Sequence, residues 1–380
     1  MKTCFRLAPL ALAITAGSVM AQSNDEAVAQ MQQQLNAMQQ QLNSVKNDRV
    51  RFNGFFSTGY SRASNDVGFA GVTENSSVAD QSLLALQGTF DVTDKSQAVM
   101  QLVGRGSEDW DPVIEWAYLS HRPTNDLQLR AGKMRIPFFM YSDSLEVGYS
   151  QPWARPPQSV YGPIAVTSYV GADAAYTINL DDSSVTAQAF TGFTDEEGSI
   201  GDVELRNIGG VTTSWTDYVW TARAVAATAE TTIQATRLGG LFISDDDRGV
   251  FLGLGLGYDD GTWQVVSEVT RVEVDGAFAD TDSAYLSVGR RFGSITPYAV
   301  VGWIESQDDD ERTALAALNT RRDEYSVGAR WDITPGVALK ADVTHVSGFG
   351  EAPGGLDQSY VLSSGKDSTN VYTLKLDSAF

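Results

Sequence analysis

Residues Leu83–Arg105 read LLALQGTFDVTDKSQAVMQLVGR. Leu84, Leu86, Gly88, Phe90 and Val92 occupy one phase of a period-two alternation, and after Thr93-Asp94-Lys95 the alternation resumes with Ala98, Met100, Leu102 and Gly104. Successive side chains of a strand point to opposite faces, so the stretch predicts two antiparallel strands joined by a tight turn. One face is apolar; the other carries Gln101 and Arg105.

The same pattern extends along the chain from Arg51, beginning with Phe52, Gly54, Phe56, Thr58 and Tyr60. It predicts strands at 50–61, 81–92, 96–105, 113–122, 127–135, 167–178, 184–193, 202–213, 217–227, 249–258, 262–272, 282–292, 296–305, 322–332, 336–346 and 368–380, about sixteen in all. Every second connection is tight, as at Pro123–Asp126, Asn179–Ser183, Ser214–Thr216, Asp259–Gly261, Gly293–Ile295 and Ile333–Pro335, while the others are mostly longer and acidic. Short turns at one end and long loops at the other are the asymmetry of a transmembrane β-barrel, which a soluble sandwich has no reason to keep throughout. The expected fold is therefore all-β: a transmembrane antiparallel barrel over 49–380.

Two segments precede it. Lys2 and Arg6 stand ahead of an apolar run from Leu7 to Ile14, and Val19 and Ala21 occupy the positions a signal peptidase reads, so 1–21 is expected to be a cleaved secretory signal peptide. The run is too short to span a bilayer as a helix. In 22–48, Val28, Met31, Leu35, Met38, Leu42 and Val45 recur at spacings of three and four, the a and d sites of a short coiled-coil helix. Self-association follows most simply; a Gln-rich linker is the competing reading.

The chain's formal net charge is −21, and its one cysteine, Cys4, lies in the signal segment. Disulfide and thiol chemistry are thus excluded from the mature chain, and so is a nucleic-acid partner, which needs a basic surface. The acids gather in Asp195–Glu197, Asp245–Asp247 and Asp308–Glu311, on the long-loop side, where an interaction with lipopolysaccharide through divalent cations is expected. No cofactor or metal site is expected: these runs lack calcium-loop spacing, and Gly249–Gly261, although rich in glycine, leads into another strand rather than a helix.

If the apolar phase faces lipid, the other phase lines the lumen. Inward candidates are Arg105, Glu115, Gln128, Arg130, Glu204, Arg206, Thr221, Arg223, Arg291, Arg330, Asp332, Lys340, Asp342, Lys375 and Asp377. A sixteen-strand barrel is wide enough to leave an aqueous channel, so something must narrow it. The segment 136–166 has the composition to do so. Pro137, Pro152, Pro156, Pro157 and Pro163 deny it ladder hydrogen bonds, and Phe138, Phe139, Tyr141, Tyr149, Trp153 and Tyr161 give it apolar area to pack on the wall. Lys133, Arg135 and Arg155 are expected to oppose Asp143 and Glu146 across the opening. A loop that caps the barrel or packs on a neighbouring subunit is the alternative.

With the strand end RAGKMRIPF (130–138), the aromatic-proline loop after it and the N-terminal heptad in hand, the chain resembles Gram-negative outer-membrane porins, and within them the phosphate-selective porin O/P-like group. Its last strand also resembles the insertion signal of outer-membrane barrels, with Tyr372, Leu374, Leu376 and the terminal Phe380 on one face, although Ser378 stands where an apolar residue is usual. The resemblance implies a bacterial outer-membrane location, a homotrimer, and passive diffusion of small hydrophilic solutes or inorganic ions with an anion preference. Phosphate selectivity would need more clustered basic residues than Lys133, Arg135 and Arg155 provide.

The competing function is a non-conducting barrel acting as an adhesin or structural protein. An enzyme is disfavoured because His121 and His345, the two histidines, are expected at opposite ends of the barrel. A plugged receptor is disfavoured because too little chain precedes the barrel to fill it.

Overall fold

The computed structural model describes residues 49–75, 78–164, 166–197, 201–235, 241–276, 278–307, 319–349 and 365–380. The expected signal peptide, the heptad from Val28 to Val45 and the Asp308–Glu311 run lie outside these residues.

Sixteen strands form one closed antiparallel barrel. They are β1 (Val50–Ala63), β2 (Leu83–Thr93), β3 (Ser96–Arg105), β4 (Pro112–His121), β5 (Leu127–Arg135), β6 (Ser168–Asn179), β7 (Ser184–Glu197), β8 (Asp202–Thr216), β9 (Trp220–Ala235), β10 (Leu241–Asp259), β11 (Trp263–Val274), β12 (Thr281–Arg290), β13 (Ile295–Ser306), β14 (Arg321–Thr334), β15 (Val337–Ser347) and β16 (Ser368–Ala379). Each strand pairs with its sequence neighbours. β1 closes the ring on β16 from Phe55↔Ala379 to Ala63↔Val371, leaving no unpaired sheet edge.

Alternation sorts the two faces as the sequence predicts. Along β13, Thr296, Tyr298, Val300 and Ile304 are buried, whereas Ile295, Val301 and Trp303 are exposed. The exposed phase of the barrel carries Leu84, Leu86, Leu119, Leu254, Val327 and Leu374, a set that costs free energy in water and suits hydrocarbon.

Three strands, β7, β9 and β10, run further toward the long-loop end than the pattern indicated, so Asp195–Glu197 and Asp245–Asp247 lie in strands rather than loops, while β8 runs on to Thr216 at its turn end. Register shifts at Gly192/Thr194, Arg206/Gly209 and Ser244/Asp247 break the period of two there, which conceals the extensions from a pattern search. The β8–β9 turn also moves, from the expected Ser214–Thr216 to Asp217–Val219. There the Asp217 carboxylate accepts from the backbone N–H of Val219 at 3.0 Å and of Trp220 at 2.6 Å, a local bond that fixes the turn.

Candidate functional site

Between β5 and β6 the chain leaves the wall and folds into the barrel. Its irregular backbone cannot join the ladder, so its buried polar groups need partners. Side chains of the inner wall provide them. Glu268 accepts from the Met140 N–H at 2.8 Å and from the Tyr161 hydroxyl. Tyr298 accepts from the Ala154 N–H at 3.0 Å, and Glu324 from the Ser159 N–H at 3.0 Å and its hydroxyl at 2.9 Å. From the cationic side, Arg223 donates to the Pro137 carbonyl at 2.5 Å, Lys340 to Gly148 at 2.6 Å, and Arg330 to Tyr149 and Gln151 at 2.5 and 2.8 Å.

The aromatic residues fix the loop sideways. Phe138 stacks on Phe251 with centroids 4.3 Å apart. Trp153, 1% exposed, sits edge-on to Tyr141 and Tyr285 and donates its indole N–H to Ser287 at 2.6 Å. Close approach also needs two glycines: a Cβ at Gly148 would collide with the Asp377 carboxylate, and one at Gly255 with Met140. Trp153→Phe deletes the hydrogen bond and leaves a void where the larger indole packed, so thermal unfolding in detergent should report a loss of about 2 kcal/mol. An unchanged midpoint would remove this anchor from the account.

The loop is therefore tied mainly to the inner wall of β9 to β16, with further contacts through Glu146 to Arg105 on β3 and Arg135 on β5, through Arg155 to Ser61 on β1 and through Phe138 to Phe190 on β7. The wall of β2 to β7 carries a chain of hydrogen-bonded polar groups. Gln101 donates to Gln87 at 3.3 Å and Gln128 to Ser120 at 2.9 Å. Arg130 binds Asp173 through both its Nε and Nη2, the latter at 2.6 Å, lies over the Tyr118 ring, and Gln188 donates to the same carboxylate at 3.0 Å. Across from them Asp143 is exposed on the loop, within electrostatic reach of Arg130 and Arg223.

The expected site residues separate on this geometry. Arg105 and Arg135 meet Glu146, but as a closed network rather than as opposing charges: Arg105 pairs with Glu115 at 2.5 Å and with Glu146, and Arg135 with Glu115 at 3.0 Å and Glu146 at 2.7 Å. Glu115 is the bulged residue between Trp116 and Ile114 in the β3–β4 ladder, which aims it at both guanidinium groups. Arg155 donates to Gln81 at 3.0 Å and to Ser61 at 3.3 Å. Burial pushes its guanidinium below the ordinary value, with Asp342 and Glu324 opposing the shift.

Lys133 is a correction. It pairs with Ala117 and Val170, on the outward phase of Leu129, while Arg130 and Met134 point inward. The strand's own alternation separates it from Arg130 by an odd number of residues. Glu204 and Arg206 are corrected likewise: Arg206 is exposed, Glu204 half-buried, and they pair with each other at 2.7 Å on the outer face, because the bulge at Asn207, with φ of 50°, brings Val203 and Leu205 to the inner face. Arg291 lies at the short-turn rim, bound to Asp259 at 2.5 Å. His121 bonds Ser96 and His345 bonds Asn370, at opposite ends of the barrel.

Glu268, Glu324, Asp173 and Tyr298 were missed as site residues. Each lies in the inward phase of its strand, so the period-two alternation that marks Arg130 and Arg330 could have marked them too.

No protein-family model matches the chain, and no curated protein does. Solved structures do. A loop-deletion mutant of OmpT, an outer membrane protein of Vibrio cholerae, is 14% identical over 87% of this chain and 99% of its own, with a TM-score of 0.58. An anion-selective porin from Comamonas acidovorans is 15% identical over 87% and 99%, with a TM-score of 0.57. The outer membrane channel DcaP of Acinetobacter baumannii is 14% identical over 87% and 97%, with a TM-score of 0.58. Identities this low establish a shared fold.

Proposed function

We propose that the chain is an outer-membrane porin, a water-filled channel for passive diffusion of small hydrophilic solutes and ions, narrowed by the loop between β5 and β6. The observation that carries this reading is the loop itself, folded inside a sixteen-strand barrel and tied mainly to β9 to β16, with the polar groups of β2 to β7 and the exposed Asp143 bordering the remaining space. The outer apolar belt and the long-loop asymmetry support a bacterial outer membrane as its location. Export by a cleaved signal peptide, insertion guided by Tyr372, Leu374, Leu376 and Phe380, and a homotrimer helped by the heptad belong to the same proposal. Solved structures of the same fold include outer-membrane porins.

Selectivity follows from how the lumen cations are engaged. Arg105, Arg130, Arg135, Arg330 and Lys340 each contact a carboxylate, which cancels most of their field. Among the described residues Arg155 and Arg223 form no direct ion pair; Asp342 and Glu324 lie within electrostatic reach of Arg155, and Asp143 and Glu268 of Arg223. We therefore infer a slight preference for anions, in keeping with the anion-selective neighbour, and no clustered phosphate site.

The test is conductance of the purified protein in a planar bilayer, with the zero-current potential under a KCl gradient. The expected result is steady conductance with a small potential favouring chloride, and Asp143→Asn should enlarge it. A strong potassium preference would transfer control to the acidic long-loop end. No conductance would overturn the channel and favour the adhesin or structural barrel.

A further inference from the structure

The lumen wall is not polar throughout. Toward the long-loop end of β8 to β11, Val203, Ile208, Ile233 and Val274 point inward and are at most 8% exposed. Together with Phe251 and the returning leg of the inward loop they line a cavity of about 390 Å3. That volume falls in the range of roughly 300–1,000 Å3 where small-molecule sites occur. No lining residue is ionisable; Thr228 and Thr231 are the two that carry a polar side-chain group.

These two hydroxyls differ. Thr228 donates to the Gly249 carbonyl at 2.9 Å. Thr231, 4% exposed as a residue and on the inward phase of β9, makes no side-chain hydrogen bond among the described residues, and its hydroxyl borders the cavity rather than being sealed off from it. A guest that bonds this free hydroxyl in an otherwise apolar lining gains the net worth of one hydrogen bond, which sets its orientation. Phe138 and Phe251, stacked with planes 16° apart, border the same space and offer an aromatic surface to a flat guest.

We propose that this cavity is a binding site for a neutral, largely apolar aromatic molecule with a single hydroxyl or carbonyl group, the ring packed among Phe251, Ile208 and Ile233 and the polar atom on Thr231. Charged solutes are excluded because the lining has nothing to pair them. The site is independent of conduction, since it is built into the wall and the base of the loop rather than the opening.

The test uses 4-(trifluoromethyl)benzyl alcohol followed by fluorine NMR on the full chain in detergent micelles. Wild type should show a saturable bound resonance. Ala229→Trp, which fills the cavity, should abolish it, and Thr231→Val, which keeps the shape and deletes the hydroxyl, should weaken the apparent Kd by roughly two- to tenfold. Val272→Trp serves as a second filling variant from another strand, with heat-modified electrophoretic mobility showing which variants are folded. The same bound signal in wild type and a folded filling variant would place the probe in the detergent belt and overturn the site, as would a titration that Thr231→Val leaves unchanged. Bilayer conductance reports separately on the channel, so either reading can fail alone.

Discussion

Replacing residues 138–161 with a short Gly-Ser linker is expected to raise single-channel conductance at least about twofold, because it clears an obstruction from a lumen that sixteen strands hold open. The barrel should survive the change. Its ladder closes without the loop, from β1 on β2 around to β1 on β16, and the wall groups that now bind loop backbone, Glu268, Glu324, Arg330 and Lys340, would be exposed to water able to replace those bonds. The measurement is single-channel current in a planar bilayer, beside strand content by circular dichroism. A folded variant with unchanged conductance would mean that the loop does not set the opening, and the proposed function would lose its main support.

The second large effect concerns stability. Lys340 is fully buried, 2.9 Å from Asp377, and donates to the Gly148 carbonyl. Asp377 also accepts from Ser57 at 2.5 Å and has Lys375 at 3.6 Å. Lys340→Met leaves a buried carboxylate short of its nearer cation and a loop carbonyl without its donor, and should cost about 3 kcal/mol. Combining it with Asp377→Asn should recover part of that loss, since the uncompensated charge is then gone. Guanidinium unfolding in micelles measures both. An unchanged midpoint in the single variant would show that Lys375 and Ser57 suffice for Asp377.

These predictions concern contacts the sequence does not reveal, whereas the frame that holds them was legible in it. The period-two phase in Leu83–Arg105 located β2, β3 and the turn between them to within a few residues, because alternation between hydrocarbon and a polar interior is imposed one residue at a time. The same rule bears on the site. Arg130 and Lys133 cannot share a face of an uninterrupted strand, and the structure puts them on opposite ones.

Where the strand is interrupted, the rule fails. The bulge at Asn207 turns Glu204 and Arg206 outward, and the one at Glu115 turns that carboxylate toward Arg105 and Arg135. A bulge depends on which residue the neighbouring strand presents, so it is a property of the pair of strands and not of either sequence. The loop shows the same division. Its prolines and aromatics determined by themselves that 136–166 leaves the ladder and seeks apolar contact. Only the tertiary structure decided that it lies mainly on β9 to β16, because that choice rests on single side chains such as Glu268, Glu324 and Lys340 meeting particular backbone groups more than a hundred residues away. Local patterning fixes which face of a strand a residue occupies; ring closure fixes what it faces.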